Sequence, residues 1–359
     1  TNNTAVGFDA LANNTTASFN TAVGYEAGYA NTTGSVTTFG YQAGYANTTG
    51  GSLHALGYRA LYSNTTGVAN TGIGQQALYA NTTASNNTAV GYQARYGSDT
   101  ESANTVAVGS RAMYMNAATT ADATDSVAVG YLALGATEAT TASLIDNTAI
   151  GAHALSLNNS TTPTASYNVA VGKAAMRFDA NTTGTVQSNA AFGYEALEVN
   201  NNTTGSVTHN TAIGLQALKS SANTTGTIRY NTAVGSQALN ACVAENNTAV
   251  GYMAGYANTT GTDNVFIGRQ AGDLVTTSNS NTVVGSLAGT NANFGGNTLI
   301  GNVAGFSSAA DNNTFVGQQA GYFVTSGAKN TVIGRYNGNQ LGLDIRTSSN
   351  NIVLSDGDG

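Results

Sequence analysis

Apolar and small residues alternate with polar ones in short motifs that return at regular intervals along the chain. The best-formed motif is Asn104 to Gly109, Asn-Thr-Val-Ala-Val-Gly, in which Val106 and Val108 fall on one face of an extended strand and Ala107 on the other. An amphipathic α-helix would need apolar residues at i, i+3, i+4 and i+7 over about ten residues, and no such run occurs. The pattern therefore predicts short β-strands.

The glycine that ends each motif recurs nineteen times and gives the organisation of the whole chain. Its spacing is 16 to 18 residues as far as Gly109, then 21 residues for six intervals, then 16 or 17 to the end. Such a period is typical of a solenoid whose successive coils stack their strands in parallel. We expect each glycine to bend the chain through a positive φ. The nineteen are Gly7, Gly24, Gly40, Gly57, Gly74, Gly91, Gly109, Gly130, Gly151, Gly172, Gly193, Gly214, Gly235, Gly251, Gly268, Gly285, Gly301, Gly317 and Gly334.

The residue before each glycine is always Val, Ile, Leu or Phe, and we assign it to the buried core. Three residues after the glycine stands Ala in eighteen of the nineteen coils, which implies a site with room for one methyl group. A second short strand, Tyr-x-Ala-Leu or Tyr-x-Ala-Gly, is predicted to follow and to return to an Asn-Thr-Thr-Gly turn. The core set includes Val6, Val23, Val90, Val108, Val129, Ile150, Val171, Ile213, Val234, Val250, Ile267, Ile300 and Ile333.

One large aliphatic residue per coil makes a thin core, which favours sharing it with other chains. We therefore predict an all-β parallel β-solenoid, or β-roll, of nineteen short coils that forms a homotrimer around a common axis. The Ala that stands two residues before the glycine in most of the first fourteen coils is the candidate for the axis face. In the last five coils this position becomes larger, so the chains there are expected to stand further apart or to enclose a hydrophobic seam; its residues are Phe266, Val283, Leu299, Phe315 and Val332.

Coil length divides the chain into four predicted segments. Residues 1–108 have coils of 16 to 18 residues, residues 109–235 have coils of 21, residues 236–340 have coils of 16 or 17 with bulkier axial residues, and residues 341–359 form a cap or linker. The extra residues of the long coils, around 116–124, 136–144 and 158–166, are a candidate receptor contact, because insertions in solenoids emerge on one face and often bind. The alternative is a thicker, inert stretch of shaft.

Composition narrows the class of protein. Only 8% of the residues are charged, against about a quarter in ordinary globular domains, and the chain has 44 Gly and one Pro. Disorder is disfavoured because the apolar residues are regularly placed and Pro, Glu and Lys are scarce. The net charge of −7 is spread thinly without a basic stripe, so nucleic acid is not an expected partner. No apolar run approaches the ~20 residues of a membrane helix, so we expect no membrane insertion. Because the chain starts in mid-motif, we expect it to be a fragment.

The Asn-Thr-Val-Ala-Val-Gly motif and Asp125 to Gly130, Asp-Ser-Val-Ala-Val-Gly, resemble the repeats in the heads of YadA-type trimeric autotransporter adhesins. That resemblance implies a trimer of left-handed parallel β-rolls. The longer unit, Asn-Thr-Ala-Val-Gly-Tyr-Gln-Ala-Gly-Tyr-Ala-Asn-Thr-Thr-Gly, is similar to repeats in bacteriophage tail fibres. The ending Asn350 to Gly359 resembles the segment that such fibres place before a self-cleaving C-terminal chaperone, and the resemblance implies removal of a chaperone or truncation of the sequence.

Tyrosines recur five residues after successive glycines and should form a ladder along the stack. Stacked tyrosines bind sugar rings by their faces, so these are the candidate glycan or receptor contacts; the alternative is that they only stack on one another. They are Tyr29, Tyr45, Tyr62, Tyr79, Tyr96 and Tyr114. A second column directly after the glycine is interpreted as structural and comprises Phe8, Tyr25, Tyr41, Tyr58, Tyr92, Tyr131, Tyr194 and Tyr252.

Other side chains give weaker signals. Asn-x-Thr sequons such as those at Asn31 and Asn47 are glycan acceptors in a eukaryotic secretory context and otherwise turn residues. Cys242 is interpreted as packing, and the three histidines have no metal-ligating partner in phase. Asp356 and Asp358 alone are weak support for calcium. No nucleophile elbow, P-loop or dinucleotide motif occurs, so we expect neither an enzyme nor a cofactor.

These observations lead to a functional hypothesis. The chain is expected to be a structural fibre or adhesin shaft on a virion or cell surface, with identical chains and a host-surface glycan or protein as partners. A phage tail fibre is the first choice and a bacterial trimeric adhesin head the alternative. A third possibility is a monomeric ice-binding solenoid, disfavoured because no regular Thr-x-Thr runs along a strand.

Overall fold

The computed structural model describes residues 2–97, 102–115, 120–136, 141–157, 164–178, 184–200, 205–220, 226–290 and 293–356. The chain is an all-β parallel β-solenoid of about eighteen stacked coils, and the described residues form no helix. This confirms the predicted fold class. The solenoid divides into two compact units, Thr1–Ser188 and Asn189–Gly359.

The first unit contains fourteen strands among its described residues. They are β1 (Thr4–Val6), β2 (Thr21–Val23), β3 (Val36–Phe39), β4 (Leu53–Leu56), β5 (Thr71–Ile73), β6 (Thr88–Val90), β7 (Val106–Val108), β8 (Thr120–Asp122), β9 (Val127–Val129), β10 (Thr141–Ser143), β11 (Thr148–Ile150), β12 (Thr164–Ser166), β13 (Val169–Val171) and β14 (Thr185–Gln187). Ten of these end directly before a motif glycine and form the main sheet; β8, β10, β12 and β14 form a second parallel sheet.

The second unit continues the same plan. Its strands are β15 (Ala190–Phe192), β16 (Val207–Thr208), β17 (Thr211–Ile213), β18 (Ile228–Arg229), β19 (Thr232–Val234), β20 (Thr248–Val250), β21 (Val265–Ile267), β22 (Thr282–Val284), β23 (Thr298–Ile300), β24 (Thr314–Val316), β25 (Thr331–Ile333), β26 (Asn339–Gln340), β27 (Leu343–Asp344) and β28 (Ile352–Leu354). Here β16 and β18 belong to the second sheet, and β26 and β27 form an antiparallel hairpin.

Equivalent motif positions pair from coil to coil within each unit. Thr4 lies opposite Thr21 and Val6 opposite Val23, and the same register joins Thr211 to Thr232. The second sheet is confined to the 21-residue coils, so part of each insertion is used to extend the coil with another strand.

The residue two before the motif glycine, Ala in most coils, lines the interior, and this corrects the predicted core. Ala22, Ala107 and Ala212 are fully buried. The next residues along the strand, Val108 after Ala107 and Ile213 after Ala212, face outward and are 37% and 41% exposed. The predicted alternation of the two strand faces is right, but their assignment to inside and outside was wrong for the single chain. The coil is narrow, so a methyl group fits the interior and a larger aliphatic side chain lies outside.

The same error applies to the whole predicted core set. Its members are exposed or half-buried in the single chain: Val6, Val23, Val90, Val108, Val129, Ile150, Val171, Ile213, Val234, Val250, Ile267, Ile300 and Ile333. The Ala two residues before the glycine is correspondingly not an outward axis residue. The Ala three residues after the glycine is buried as predicted, for example Ala27 and Ala238.

The bulky residues of the last five coils also point inward. Phe266 and Phe315 are fully buried, and the fourth residue after the motif glycine in these coils is Gly, as at Gly272 and Gly321. A Cβ atom added to Gly272 would overlap the ring of Phe266. In the coil of Gly214 the sizes are reversed, with Ala212 beside Leu218, both fully buried. These coils thus pair a small and a large residue at the two positions, and the larger residues of the last five coils fill the interior of the single chain.

The segment that follows each motif glycine is a turn, where the sequence predicted a second strand. Gln42 and Arg59, two residues after their glycines, have φ of 52° and 52°, and Leu61 has φ of 51°. Residues in this left-handed region cannot continue an extended strand. Their backbone still bonds to the next coil, since Arg59 N–H donates to the Tyr41 carbonyl at 2.9 Å.

The motif glycines adopt the predicted bend. Gly40 has φ of +130° and Gly57 of +134°. A Cβ atom on Gly40 would lie 2.7 Å from the carbonyl oxygen of Gly57. Close approach of neighbouring coils therefore requires glycine here in addition to the positive φ.

Candidate interaction surfaces

The outward face of the main sheet carries Thr and aliphatic side chains in two columns. The first column, three residues before the glycine, is Thr in thirteen of the nineteen coils, and the second, directly before the glycine, is always aliphatic or Phe. We call this surface the strand face. Its large side chains are exposed or half-buried, with 36% exposure for Leu56 and Val129 and 57% for Val6 among the exposed ones. His54 is the single titratable residue in these two columns, so the strand face is almost uncharged.

A column of buried asparagines runs along the interior, four residues before the motif glycines. The amide side chain of Asn231 donates to Oδ1 of Asn210 at 3.1 Å, and the backbone N–H of Asn231 donates to the same oxygen at 3.0 Å. The other donor position of Asn231 Nδ2 is used by the Ala244 carbonyl at 2.8 Å. This ladder satisfies buried backbone groups that the narrow coil cannot pair otherwise. This interior ladder was not predicted from the sequence, where Asn was interpreted as a turn residue.

The sequon asparagines form a second ladder. Asn31 and Asn47 are fully buried, and their Nδ2 atoms donate to the carbonyls of Gly34 and Gly50 at 2.9 and 3.0 Å. Asn47 Nδ2 also donates to Asn31 Oδ1 at 3.0 Å. These amide nitrogens are used inside the turn of the folded chain, which agrees with the turn interpretation.

The predicted tyrosine ladder is continuous. The rings of Tyr29, Tyr45, Tyr62, Tyr79, Tyr96 and Tyr114 stack with centroids 5.1 to 5.6 Å apart and interplanar angles of 7° to 20°. Each ring face inside the ladder is therefore covered by the next tyrosine. Sugar binding on ring faces, the mode that the sequence suggested, is not available along the ladder; ring edges and hydroxyl groups remain.

The second aromatic column also stacks. Phe8, Tyr25, Tyr41 and Tyr58 follow one another with centroids 5.1 to 5.4 Å apart. Of the other members, Tyr92 lies beneath the guanidinium of Arg111, Tyr131 meets His153 edge-on at 5.2 Å, Tyr194 adjoins Glu195, and Tyr252 is exposed. Between the two columns lies a polar column that sequence reasoning missed, because its residue type changes from coil to coil and only its phase is constant.

The inserted coils are described in part. Residues 116–119, 137–140 and 158–163 of the predicted receptor contact lie outside the described residues. The described remainder supplies the second sheet and buries Met115, Leu144, Leu157 and Phe178. Part of each insertion therefore builds a thicker coil with its own buried side chains.

A charged cluster lies near the end of the inserted coils. Lys219 Nζ is 2.5 Å from Glu195 Oε2 and 2.8 Å from Glu198 Oε2, and the Glu198 side chain is fully buried. Burial raises the pKa of Glu195, but hydrogen bonds from Lys219, Tyr194 and Gln216 outweigh it and bring that pKa to about 2. Glu195 is therefore ionised at neutral pH, and the three side chains form an ion pair network.

The remaining candidates are the cysteine, the histidines and the C-terminal aspartates. In the described part of the chain, no three His, Cys, Asp or Glu side chains lie together as a metal site. Cys242 is buried, and burial raises its thiol pKa to about 11, so it packs as an un-ionised side chain. His54 lies on β4, and His209 stacks on Tyr230 at 5.3 Å. Asp358 lies outside the described residues. Among the described residues no helix long and apolar enough to span a bilayer is found.

Neither a protein-family model, nor a curated protein, nor a solved structure matches this chain.

Proposed function

We propose that this chain is the shaft of an attachment fibre or surface adhesin, assembled from identical chains through the strand face. The observation that carries the proposal is the aliphatic column of that face, whose side chains are exposed or half-buried in successive coils. Large apolar patches on a protein surface mark contact sites, whereas single exposed apolar residues do not. The function as a phage tail fibre, with a bacterial trimeric adhesin head as the alternative, rests on the repeat resemblance.

Identical chains are the partner that fits this face best. The face is nearly uncharged, so it offers no electrostatic specificity for a basic or acidic ligand. Its columns repeat at the coil spacing, and a second copy presents the same columns at the same spacing. Three such faces around an axis would remove the aliphatic column of every chain from water, at about 25 cal/mol per Å² of apolar area.

The first test is the mass of the particle by size exclusion with light scattering. About three times the chain mass of 36.1 kDa supports the assembly, and a monomer at micromolar concentration contradicts it. In a matched pair of variants, Ile213→Lys with Ile267→Lys places charge on the strand face, whereas Leu215→Lys with Leu274→Lys places it on equally exposed apolar positions elsewhere. The first pair is expected to dissociate the assembly and the second to leave it intact.

An ice-binding solenoid is a second candidate, favoured by one observation. The Thr column and the aliphatic column lie side by side on the same exposed face, although the sequence has no regular Thr-x-Thr. Thermal hysteresis by a monomer would support this candidate over the fibre. Absence of hysteresis together with a trimeric mass would exclude it.

A further inference from the structure

A surface on the first unit combines both aromatic columns with the polar column between them. The polar column stands two residues after the motif glycine and consists of Glu26, Gln42, Arg59, Gln76, Gln93 and Arg111. We call the whole surface, from Phe8 to Tyr114, the tyrosine ribbon.

The arginines show the order of the three columns. The guanidinium carbon of Arg59 lies 5.3 Å from the ring centroid of Tyr58 on one side and 5.3 Å from that of Tyr62 on the other. Arg111 lies 5.9 Å from Tyr92 and 5.3 Å from Tyr114. The polar column is therefore flanked by aromatic rings on both sides.

The ribbon repeats once per coil. Ring centroids are 5.1 to 5.6 Å apart from Tyr29 to Tyr114 in one column and 5.1 to 5.4 Å apart from Phe8 to Tyr58 in the other, where Gln75 and Ser110 take later positions. Side chains of the polar column bond to their neighbours in the next coil: Gln42 Nε2 donates to Glu26 at 2.7 Å, and Arg59 Nε donates to Gln42 at 2.8 Å. These bonds fix the side chains in place, so the ribbon is a pre-ordered one-dimensional array of amide, guanidinium, phenol and ring-edge groups.

Apart from Glu26, Arg59 and Arg111, the ribbon presents neutral donors and acceptors. No hydrogen bond joins the hydroxyls of Tyr45, Tyr62 or Tyr79 to another described residue. Burial raises the pKa of the Tyr96 phenol, with Tyr79 and Tyr114 adding to it, so that hydroxyl remains a donor at neutral pH. Arg59 and Arg111 keep their positive charges while their Nε atoms donate to Gln oxygens. Two arginines in a column of six polar residues that also contains Glu26 do not form the continuous basic stripe that an anionic polymer needs.

We propose that the tyrosine ribbon binds a neutral, linear, extended polysaccharide whose chain runs along the stacking direction. The spacing of the array is comparable to the advance per sugar in an extended β-1,4-linked chain, so each added sugar meets an equivalent set of groups. Hydroxyls of the sugar bond to phenol and amide groups, while its C–H groups lie on ring edges. The proposal rests on the attachment role above for its biological setting and names the chemical class of the partner.

Chain length is the decisive variable, because a periodic array gains affinity with each repeat that it engages. Isothermal titration calorimetry of the full chain with cellobiose, cellohexaose and chitohexaose is the direct measurement. At least one hexasaccharide is expected to bind more than about tenfold tighter than cellobiose. Maltohexaose, which has the same sugar as cellohexaose in a coiled chain, is expected to bind at least about tenfold more weakly than the tighter hexasaccharide.

The variants remove hydroxyl groups and keep the ring stack. Tyr62→Phe with Tyr79→Phe is expected to lower the affinity for the tighter hexasaccharide about tenfold, since each lost hydrogen bond costs a few-fold in affinity. Tyr256→Phe with Tyr322→Phe makes the same chemical change at the same coil position outside the ribbon and is expected to leave affinity unchanged. Equal melting temperatures of the two double variants show that folding is not the cause.

The proposal is overturned if neither hexasaccharide binds at millimolar concentration, if maltohexaose binds equally well, or if both double variants behave alike. Its failure is separate from that of the proposed function. A trimer without sugar binding rejects the ribbon proposal alone, whereas a monomer that binds cellohexaose through Tyr62 and Tyr79 rejects the assembly and keeps the ribbon.

Discussion

The ring of Phe266 occupies the space that a side chain on Gly272 would need. Phe266 is fully buried on β21, and Gly272 lies in the following turn with φ of +58°. The large residue on the strand and the absent side chain in the turn thus belong to one packing arrangement inside the coil.

The first prediction concerns Gly272→Ala. The added methyl group overlaps the Phe266 ring and also places a non-glycine residue at positive φ, so we expect a loss of about 2 to 4 kcal/mol in the free energy of unfolding. Urea denaturation measures it. Gly295→Ala is the control, because its φ is not in the left-handed region and a Cβ atom there has no neighbour closer than 3.7 Å. Equal stability of the two variants would contradict the packing argument.

The second prediction tests the interior asparagine ladder. Asn210→Ala removes the oxygen that accepts both the backbone and the side-chain N–H groups of Asn231. A buried donor without a partner costs about 1 to 3 kcal/mol, so two of them should lower stability by more than an ordinary surface substitution. Thermal melting of Asn210→Ala beside Asn13→Ala, at an exposed asparagine, gives the comparison. If the ladder only fills space, Asn210→Leu will melt no lower than the wild type.

The third prediction concerns Asp273, a nearly buried carboxyl. Burial raises its pKa, although hydrogen bonds from Gln270 Nε2, at 3.2 Å from Oδ2, and from the backbone N–H groups of Asp273 and Leu274 oppose the rise. Since the folded pKa lies above the unfolded one, the charged form destabilises the fold at neutral pH, and the wild type gains relative stability as pH falls through the folded pKa.

Asp273→Asn should therefore raise the melting temperature at pH 7 by a few degrees, and the gain should shrink on acidification towards pH 4. Differential scanning calorimetry at several pH values measures both trends. Asp263→Asn, at an exposed position in the preceding coil, is expected to change the melting temperature at pH 7 little. A gain for Asp273→Asn that grows on acidification would have the wrong sign.

The fourth prediction concerns the ion pair network of Lys219. Lys219→Met removes the ammonium group that lies 2.8 Å from the buried Glu198 carboxylate and should cost about 3 kcal/mol at pH 7. The depressed pKa of Glu195, about 2, means that its contribution is present above pH 4.5 and is lost as pH falls towards 2. The deficit of Lys219→Met should accordingly shrink over that interval.

Arg346→Met is the matched comparison for Lys219→Met. Arg346 pairs with Asp344 at 2.7 Å, but both side chains are about half exposed, so the loss should be at most about 1 kcal/mol. Chemical denaturation of both variants at pH 7 separates the buried network from the exposed pair. A loss for Lys219→Met no larger than that for Arg346→Met would show that Glu198 is hydrated in the folded chain.

Part of the candidate site was readable from the sequence. The constant phase of Tyr29, Tyr45 and Tyr62 predicts their ladder, since equivalent positions of a solenoid must stack. The polar column beside it, with Gln42 and Arg59, was not found, because its chemical type varies and its position between two aromatic columns depends on how the turn folds. The same turn, with left-handed residues at Arg59 and Leu61, replaced the predicted second strand.

The sequence by itself determined the repeat, the parallel strands and the glycine bend at positions such as Gly40, because these follow from periodicity and backbone sterics alone. Only the tertiary structure decided which strand face lies inside. Ala107 and Val108 are both apolar, so alternation separates two faces without ranking them. The width of the closed coil makes the choice: it encloses the methyl group of Ala107 and leaves Val108 on the outer surface, where a partner can cover it.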